Sequence, residues 1–132
     1  MVGVDTNCLI AYLAGDTGED MDLLDKLLER KAVALPPVVV SELLSDRALP
    51  QDTEKLILAL PSLAILEGHW ARAGKLRAEL SRHGFSARLA DTLVAQSCLD
   101  HNAPLLTRDR GFARFKKVAG LELLQPGIKE IS

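Results

Sequence analysis

Four acidic residues stand beside apolar segments of the chain, where an ionised carboxylate needs a partner. They are Asp5 at the end of Met1–Val4, Glu42 within Val38–Leu44, Asp91 within Leu89–Ala95, and Asp109 just after Pro104–Arg108. If the fold brings the four together, their natural partner is a hard divalent cation, because oxygen ligands suit Mg²⁺ and Mn²⁺. The sequence therefore offers a candidate metal site made of carboxylates.

The chemistry of such a site follows from its charge. Two carboxylates about 4 Å apart repel each other by roughly 4 kcal/mol at an effective dielectric constant near 20. One or two divalent ions remove that repulsion, lower the pKa of a bound water and shield a scissile phosphate. The sequence suggests no Ser–His or Cys–His nucleophile pair. Metal-assisted phosphodiester cleavage is therefore the reaction that these residues indicate.

Each acid also has an ordinary structural interpretation. Asp109 could cap a helix that begins at Arg110, and Asp91 could be a first-turn acid favoured by the helix dipole. Glu42 could be a surface residue of its helix. Asp5 is the hardest to explain structurally, because its strand is so short and apolar. The functional interpretation depends on all four meeting in space.

Length and composition describe a globular protein. The chain has 132 residues, of which 48% are hydrophobic, and we expect one domain over residues 1–132. No apolar stretch approaches the 18 or more residues of a membrane span, and the early Asp5 argues against a signal peptide. Cys8 and Cys98 form no CxxC pair, so reduced thiols in a cytoplasmic protein are expected. The three histidines show no zinc-ligand spacing with these cysteines.

The charge of the chain is distributed unevenly. Residues 1–67 carry 12 acids and 5 bases, a balance of −7, whereas residues 68–132 carry 6 acids and 11 bases, a balance of +5. A basic region beside an acidic metal site would suit a polyanion, through attraction and counterion release. Taken alone, basic clusters are more commonly solvated helix faces. Only their combination with the carboxylates favours nucleic acid.

Strands and helices are predicted to alternate along the chain. Strands are expected at Val2–Asp5, Ala32–Leu35, Leu63–Leu66, Pro104–Thr107 and Leu121–Leu124. Helices are expected from about Asn7 to Leu13, through Leu23–Leu28, from Val38 or Val39, over 51–60, over His69–Arg82, over Arg88–Asp100 and over Arg110–Phe115. The first helix is expected to have Thr6 or Asn7 as its N-cap, and Leu89 is expected to face the core. The last few residues are expected to fray. The order predicts an α/β fold with a mostly parallel central sheet of four to five strands covered on both faces.

This arrangement gives the four acids a common location. In open α/β sheets, ligands bind beyond the carboxyl ends of the parallel strands. Asp5 ends the first strand, Asp109 follows the Pro104–Thr107 strand, Glu42 lies shortly after the second strand, and Asp91 lies in the first turn of its helix. We therefore expect all four carboxylates to lie within reach of one crevice.

Four blocks of this sequence resemble the PIN domain family, particularly the VapC-type toxins of prokaryotic toxin–antitoxin systems. They are Val4-Asp5-Thr6-Asn7, Ser41-Glu42-Leu43, Ala90-Asp91-Thr92-Leu93-Val94-Ala95, and Leu105-Leu106-Thr107-Arg108-Asp109-Arg110-Gly111-Phe112. The blocks occur in the family's order and cover nearly the whole chain. Many relatives carry a further acid at the position of Gly111, so the resemblance leaves any second-metal contribution from this loop without support.

The resemblance implies a three-layer PIN-like fold and a metal-dependent ribonuclease. Asp5, Glu42, Asp91 and Asp109 would hold Mg²⁺ or Mn²⁺. Asn7 would orient Asp5 by hydrogen bonding, and Thr107 would place a hydroxyl near the site. Expected partners are an RNA substrate, a cognate antitoxin that fills the groove, and a second copy of the chain in a homodimer. RNA contacts are expected from Arg77, Arg88 and Arg108.

Four other functions fit these residues less well. A non-catalytic PIN-like module that binds RNA or protein would typically lack one of the four acids, and none is missing. Haloacid-dehalogenase-like phosphatases need an acid two positions after the nucleophile, where this chain has Asn7. Response-regulator receivers need an acidic pair before the strand-end Asp, which is absent. A purely structural α/β domain would make the four placements a coincidence.

Overall fold

A parallel sheet forms the centre of the computed structural model, which describes residues 1–127. Its strands are β1 Val2–Val4, β2 Val33–Ala34, β3 Leu105–Leu106 and β4 Leu123–Leu124, in the order β2-β1-β3-β4. All three pairings are parallel, with Gly3 opposite both Ala34 and Leu105. The first strand of the chain is therefore central, and segments far apart in sequence must assemble around it.

Helices connect the strands and flank the sheet. They are α1 Thr6–Leu13, α2 Glu19–Glu29, α3 Pro37–Leu44, α4 Gln51–Ala59, α5 His69–Arg82, α6 Leu89–Asp100, a 3₁₀ turn Arg110–Phe112, and α7 Ala113–Ala119. Helix α5 packs against α6 and α7, while α3 packs against α1, α4 and α6. The predicted α/β fold with a parallel sheet is confirmed. In the part of the chain that the structure describes, no helix has the length and apolar character needed to cross a bilayer.

The core explains why such short strands hold together. Val4, Val33, Leu105 and Leu106 are almost completely buried, as expected for parallel strands covered on both faces. At Gly3 the sheet and α6 approach so closely that an added Cβ atom would lie 2.6 Å from the Cys98 sulfur. The backbone of β1 thus packs directly against a buried side chain of α6.

A buried ion cluster joins α5 to α6. The Asp100 carboxylate, only 5% exposed, accepts hydrogen bonds from Arg72 Nε at 2.8 Å and Gln96 Nε2 at 2.8 Å, and lies 3.1 Å from His69 Nδ1. These bonds, chiefly those from Arg72, hold the pKa of Asp100 well below its ordinary value. The cluster fixes the relative position of the two helices.

Three expectations from the sequence are corrected, and a fourth cannot be compared with the structure. Leu63–Leu66 is not a strand: only a single bridge joins Leu35 to Ser62, and Ile65 is 47% exposed. The α1 N-cap is Asp5, because the helix already begins at Thr6. Leu89 is 52% exposed instead of facing the core, because it is the first residue of α6. The expectation of a frayed C-terminus concerns residues outside the described range.

Candidate active site

Asp5 lies at the centre of the candidate site, at the junction of β1 and α1. Its backbone is extended, and one carboxylate oxygen accepts a hydrogen bond from the Cys8 amide at 2.9 Å, which caps α1. The other oxygen accepts a short hydrogen bond from the Thr107 hydroxyl. Burial raises the pKa of Asp5 above its ordinary value; these two hydrogen bonds oppose the rise, and nearby Asp109 and Asp91 add to it. The fold thus holds this side chain in one orientation, while its burial and the neighbouring acids make the ionised form less favourable.

Thr107 links Asp5 to Asp109. It is fully buried, and its hydroxyl donates to Asp5 while accepting the Asp109 amide at 2.9 Å. The Asp109 carboxylate in turn accepts the Gly111 amide at 2.7 Å and caps the 3₁₀ turn. A Cβ atom at Gly111 would lie 2.9 Å from that same carboxylate oxygen. Glycine therefore lets Asp109 keep its capping position.

Glu42 and Asp91 are the other two acids of the predicted set. Glu42 is exposed on α3 and accepts a hydrogen bond from the Thr6 hydroxyl at 2.7 Å, so it is joined to the residue that follows Asp5. Asp91 lies in the first turn of α6, with Arg88 Nε 3.6 Å from its carboxylate. Burial raises the pKa of Asp91; Arg88 lowers it, and Asp109 and Glu42 raise it further. The four acids thus act on one another electrostatically.

The donor set suits a hard cation, because it consists of carboxylate oxygens whose charges repel each other. Within residues 1–127, no three side chains of the types His, Cys, Asp and Glu form a ready-made group of metal ligands. One carboxylate oxygen of Asp5 and one of Asp109 each accept a hydrogen bond from a backbone amide. The oxygen donors of these residues fit a divalent metal in their chemistry.

A crevice of about 370 Å³ lies beside these acids, and both signs of charge line it. Its acids are Asp91 and Asp109, and its bases are Arg77, Arg88 and Arg114. Arg77 Nε donates to the Ala87 carbonyl at 2.9 Å, while the Arg88 side chain is 81% exposed. Cations beside carboxylates are the arrangement that a phosphodiester at a metal site requires.

Arg114 was not singled out as a site residue from the sequence. Its guanidinium donates to the Gly111 carbonyl at 2.8 Å and, by a short bond, to the Ser86 carbonyl. It therefore joins the loop after Asp109 to the loop before Asp91. The signal that could have found it is its place one helical turn beyond the Asp109 block, on the same rim of the sheet.

Two expected roles are assigned differently by the structure. Asn7 is exposed on α1, and Asp5 takes its hydrogen bonds from Thr107 and the Cys8 amide rather than from Asn7. Arg108 does not present a free cation to RNA, because Asp16 and Asp20 bind its guanidinium. Asp20 was not recognised from the sequence, since its position in the first turn of α2 is common for acids.

Comparison with known proteins gives consistent results. The model of the family described as "PIN domain" matches residues 2–118. Ribonuclease VapC43 of Mycobacterium tuberculosis is 29% identical over 137 aligned positions, which cover 89% of this chain and 92% of that protein. The crystal structure of FitAcB from Neisseria gonorrhoeae has a TM-score of 0.73 at 26% identity, covering 96% of this chain and 98% of that one. A toxin–antitoxin complex from Klebsiella pneumoniae has a TM-score of 0.68 at 20% identity, covering 99% and 100%, and supports the fold.

Proposed function

The chain belongs to the PIN domain family, and on that premise we propose that it is a divalent-metal-dependent endoribonuclease. The observation that carries this proposal is a crevice that Asp91 and Asp109 line together with arginines, with Asp5 joined to Asp109 through the Thr107 hydroxyl. Mutual repulsion of buried carboxylates favours a cation between them. The name of the similar mycobacterial protein, a ribonuclease, supports RNA as the substrate.

Each residue has a role in this proposal. Asp5, Glu42, Asp91 and Asp109 hold Mg²⁺ or Mn²⁺, and Thr107 keeps the Asp5 carboxylate in one orientation. When bound, such a cation lowers the pKa of a water molecule and offsets charge on the scissile phosphate.

The arginines of the crevice attract and orient the RNA backbone. Arg88 is the most exposed cation for this purpose, while Arg77 and Arg114 each use part of the guanidinium to hold neighbouring loops. Phosphate contacts of this kind give affinity without sequence preference.

The test is RNA cleavage by the purified protein with Mg²⁺ or Mn²⁺, repeated with a chelator. Cleavage should stop with the chelator, and Asp5→Asn should lower kcat by more than about a hundredfold, because losing even a group that orients a metal ligand costs about 10–100-fold. Asp52→Asn, in the exposed first turn of α4, is the matched control and should cleave normally. Full cleavage by Asp5→Asn would refute the assignment. RNA binding without cleavage by the unmodified protein would favour the non-catalytic module instead.

We further propose that the protein is the toxin of a VapBC-type pair and is silenced by a cognate antitoxin. The similarity to the Klebsiella pneumoniae toxin–antitoxin complex supports a protein partner at this fold. Co-expression with the product of the adjacent reading frame should give a complex that co-purifies and does not cleave RNA. A co-purified complex that cleaves RNA as fast as the free protein would contradict this role.

A further inference from the structure

Arg108 makes four contacts with residues 16–20, which form the end of the connection between α1 and α2 and the first turn of α2. Its Nε and Nη2 atoms hold the two oxygens of Asp20 as a fork, the second bond at 3.2 Å. Nη1 donates to Asp16 at 3.0 Å, and Nη2 also donates to the Thr17 carbonyl at 3.2 Å. Bidentate pairs of this type fix geometry as well as contributing energy. Four hydrogen bonds thus engage the guanidinium, which has five N–H donors, within the protein.

The burial and charge of this cluster distinguish it from a surface ion pair. The Asp20 side chain is 12% exposed, and the hydrogen bond from Arg108 is the largest cause that lowers its pKa. Gly18, with φ of +141°, permits this contact, because a Cβ atom there would lie 2.8 Å from the Asp20 carboxylate. Two acids surround one base, so the cluster has no surplus positive charge with which to attract RNA.

Arg108 also occupies a particular place in the chain, between Thr107 and Asp109. On one side, hydrogen bonds hold this segment to β4 and the residue after it. The Thr107 amide donates to the Leu124 carbonyl at 3.3 Å, and Gln125 Nε2 donates to the Asp109 carbonyl at 3.2 Å. On the other side, Arg108 ties it to the connection that continues from α1. Asp5 begins α1, so the Asp5 and Asp109 blocks are joined through Thr107 and again through Arg108.

We propose that Arg108 is a positioning residue that acts through Asp109 and Thr107, with Asp20 as its fixed support. This inference rests on the proposed ribonuclease activity. In this role, the Arg108–Asp20 fork sets the distance between the segment that contains Asp5 and the segment that contains Asp109. RNA does not contact this side chain.

The two roles of Arg108 predict opposite effects when Asp20 is changed. If Arg108 contacted phosphate, Asp20→Asn would release the guanidinium and lower KM. For a positioning residue, Asp20→Asn should instead lower kcat by about 10–100-fold, since a displacement of about 1 Å can cost that much. KM for RNA should stay within about twofold. Arg108→Lys should behave like Asp20→Asn, because it keeps the charge and loses the fork.

Asp22→Asn is the control, since Asp22 is exposed in the same helical turn and its change removes the same charge. It should leave kcat and KM unchanged. A lower KM in Asp20→Asn, or a normal kcat in Arg108→Lys, would overturn the proposal.

Amide hydrogen exchange tests the same inference without any nuclease activity. The Asp109 amide donates to Thr107 and the Gly111 amide to Asp109, so both report the position of this segment. In Asp20→Asn these two amides should exchange at least about tenfold faster, whereas Asp22→Asn should match the unmodified protein. The Leu35 amide, bonded to the Pro61 carbonyl at 2.8 Å, serves as the reference. Unchanged exchange at Asp109 and Gly111, or equal acceleration at Leu35, would refute positioning by Arg108.

If the protein does not cleave RNA, the proposed function fails, while the exchange experiment still decides whether the Arg108–Asp20 fork holds the segment.

Discussion

At the scale of single residues, Asp5 combines a structural role with a proposed catalytic one. It caps α1 and is 4% exposed, yet its charge is opposed by burial and by two neighbouring acids. A raised pKa means that the folded state holds this proton more tightly than the unfolded state does. The contribution of Asp5 to stability therefore falls as pH rises from the unfolded pKa, about 3.9, through the folded one.

Asp5→Asn tests this opposition between stability and charge. Without divalent ions, the variant should be at least as stable as the unmodified protein at pH 7, because asparagine can accept the Cys8 amide without a buried charge. The advantage should shrink as pH falls through the raised pKa of Asp5, because the folded protein then takes up the proton and no longer buries a charge. Denaturant unfolding in chelator at several pH values measures the difference. If the variant were less stable at pH 7, the hydrogen bonds to the charged Asp5 carboxylate would contribute more to stability than the burial of its charge costs.

The residues of the site show what sequence can identify. Asp5, Asp91 and Asp109 could be selected because they interrupt apolar segments, and the structure brings them into electrostatic contact. The partners of these residues could not be predicted in the same way. Thr107 lies 102 positions from Asp5, and Asp20 lies 88 positions from Arg108, so only the folded chain reveals each pair.

At the scale of elements, the contact between β1 and α6 leaves no room at Gly3. Gly3→Ala should lower the free energy of unfolding by about 1–3 kcal/mol, the usual cost of an overpacked core, because the new methyl group would meet the Cys98 sulfur. Gly74→Ala on α5 is the control: nothing lies within 4 Å of its Cβ position, and helix propensity should raise stability by up to about 1 kcal/mol. Chemical denaturation measures both.

A double variant identifies the cause of the Gly3 effect. Combining Gly3→Ala with Cys98→Ala removes the sulfur that the methyl group meets, so the two changes should cost less together than the sum of the single changes. Strict additivity would indicate that the strand, and not the contact with α6, resists the substitution.

The ion cluster between α5 and α6 gives a prediction about acid stability. The depressed pKa of Asp100 contributes stability that is present above the unfolded pKa, about 3.9, and is lost as pH falls below it. Asp100→Asn should therefore cost about 1–3 kcal/mol at pH 7, since it leaves Arg72 with a weaker buried partner. The cost should diminish below about pH 4. Thermal unfolding of the variant and the unmodified protein across this range checks it, and a pH-independent difference would contradict it.

The boundaries of these elements were predictable where the chain carries clear stop signals. Helix α5 begins and ends as expected, with Gly68 and Gly84 on either side in left-handed conformations. Leu63–Leu66 was wrongly predicted as a strand, because an apolar run does not specify a pairing partner. In the folded chain the bridge is made by Ser62, just before this segment, and Ile65 and Leu66 are exposed.

At the scale of the whole molecule, the uneven charge gives the RNA interaction a direction. Residues 68–132 supply the arginines of the crevice, whereas residues 1–67 are strongly acidic. Arg88→Gln should weaken RNA binding and reduce the slope of log affinity against log salt by about one, as the loss of one phosphate contact does. Arg30→Gln, an exposed cation of the acidic half, should leave the slope unchanged. Binding titrations at several salt concentrations measure both variants. If Arg88→Gln and Arg30→Gln gave the same slope, Arg88 would not contact the RNA.

Two expectations about the whole molecule stay predictions. One is that residues 1–132 form a single domain, and the other is that two copies form a homodimer. Several large apolar side chains are exposed, including Ile10, Leu56, Leu58 and Trp70, but exposed apolar residues are common on monomers as well. The mass of the purified protein in solution tests whether it forms a homodimer.

The central position of β1 has a consequence for synthesis on the ribosome. β1 emerges first, yet one of its two neighbours is β3 at Leu105–Leu106, and Asp5 receives its orienting bond from Thr107. A nascent chain therefore carries the first acidic residue long before it carries the threonine and aspartate that complete the group. Under the proposed function, translation itself delays the appearance of a nuclease until the segment with Thr107 and Asp109 has left the exit tunnel.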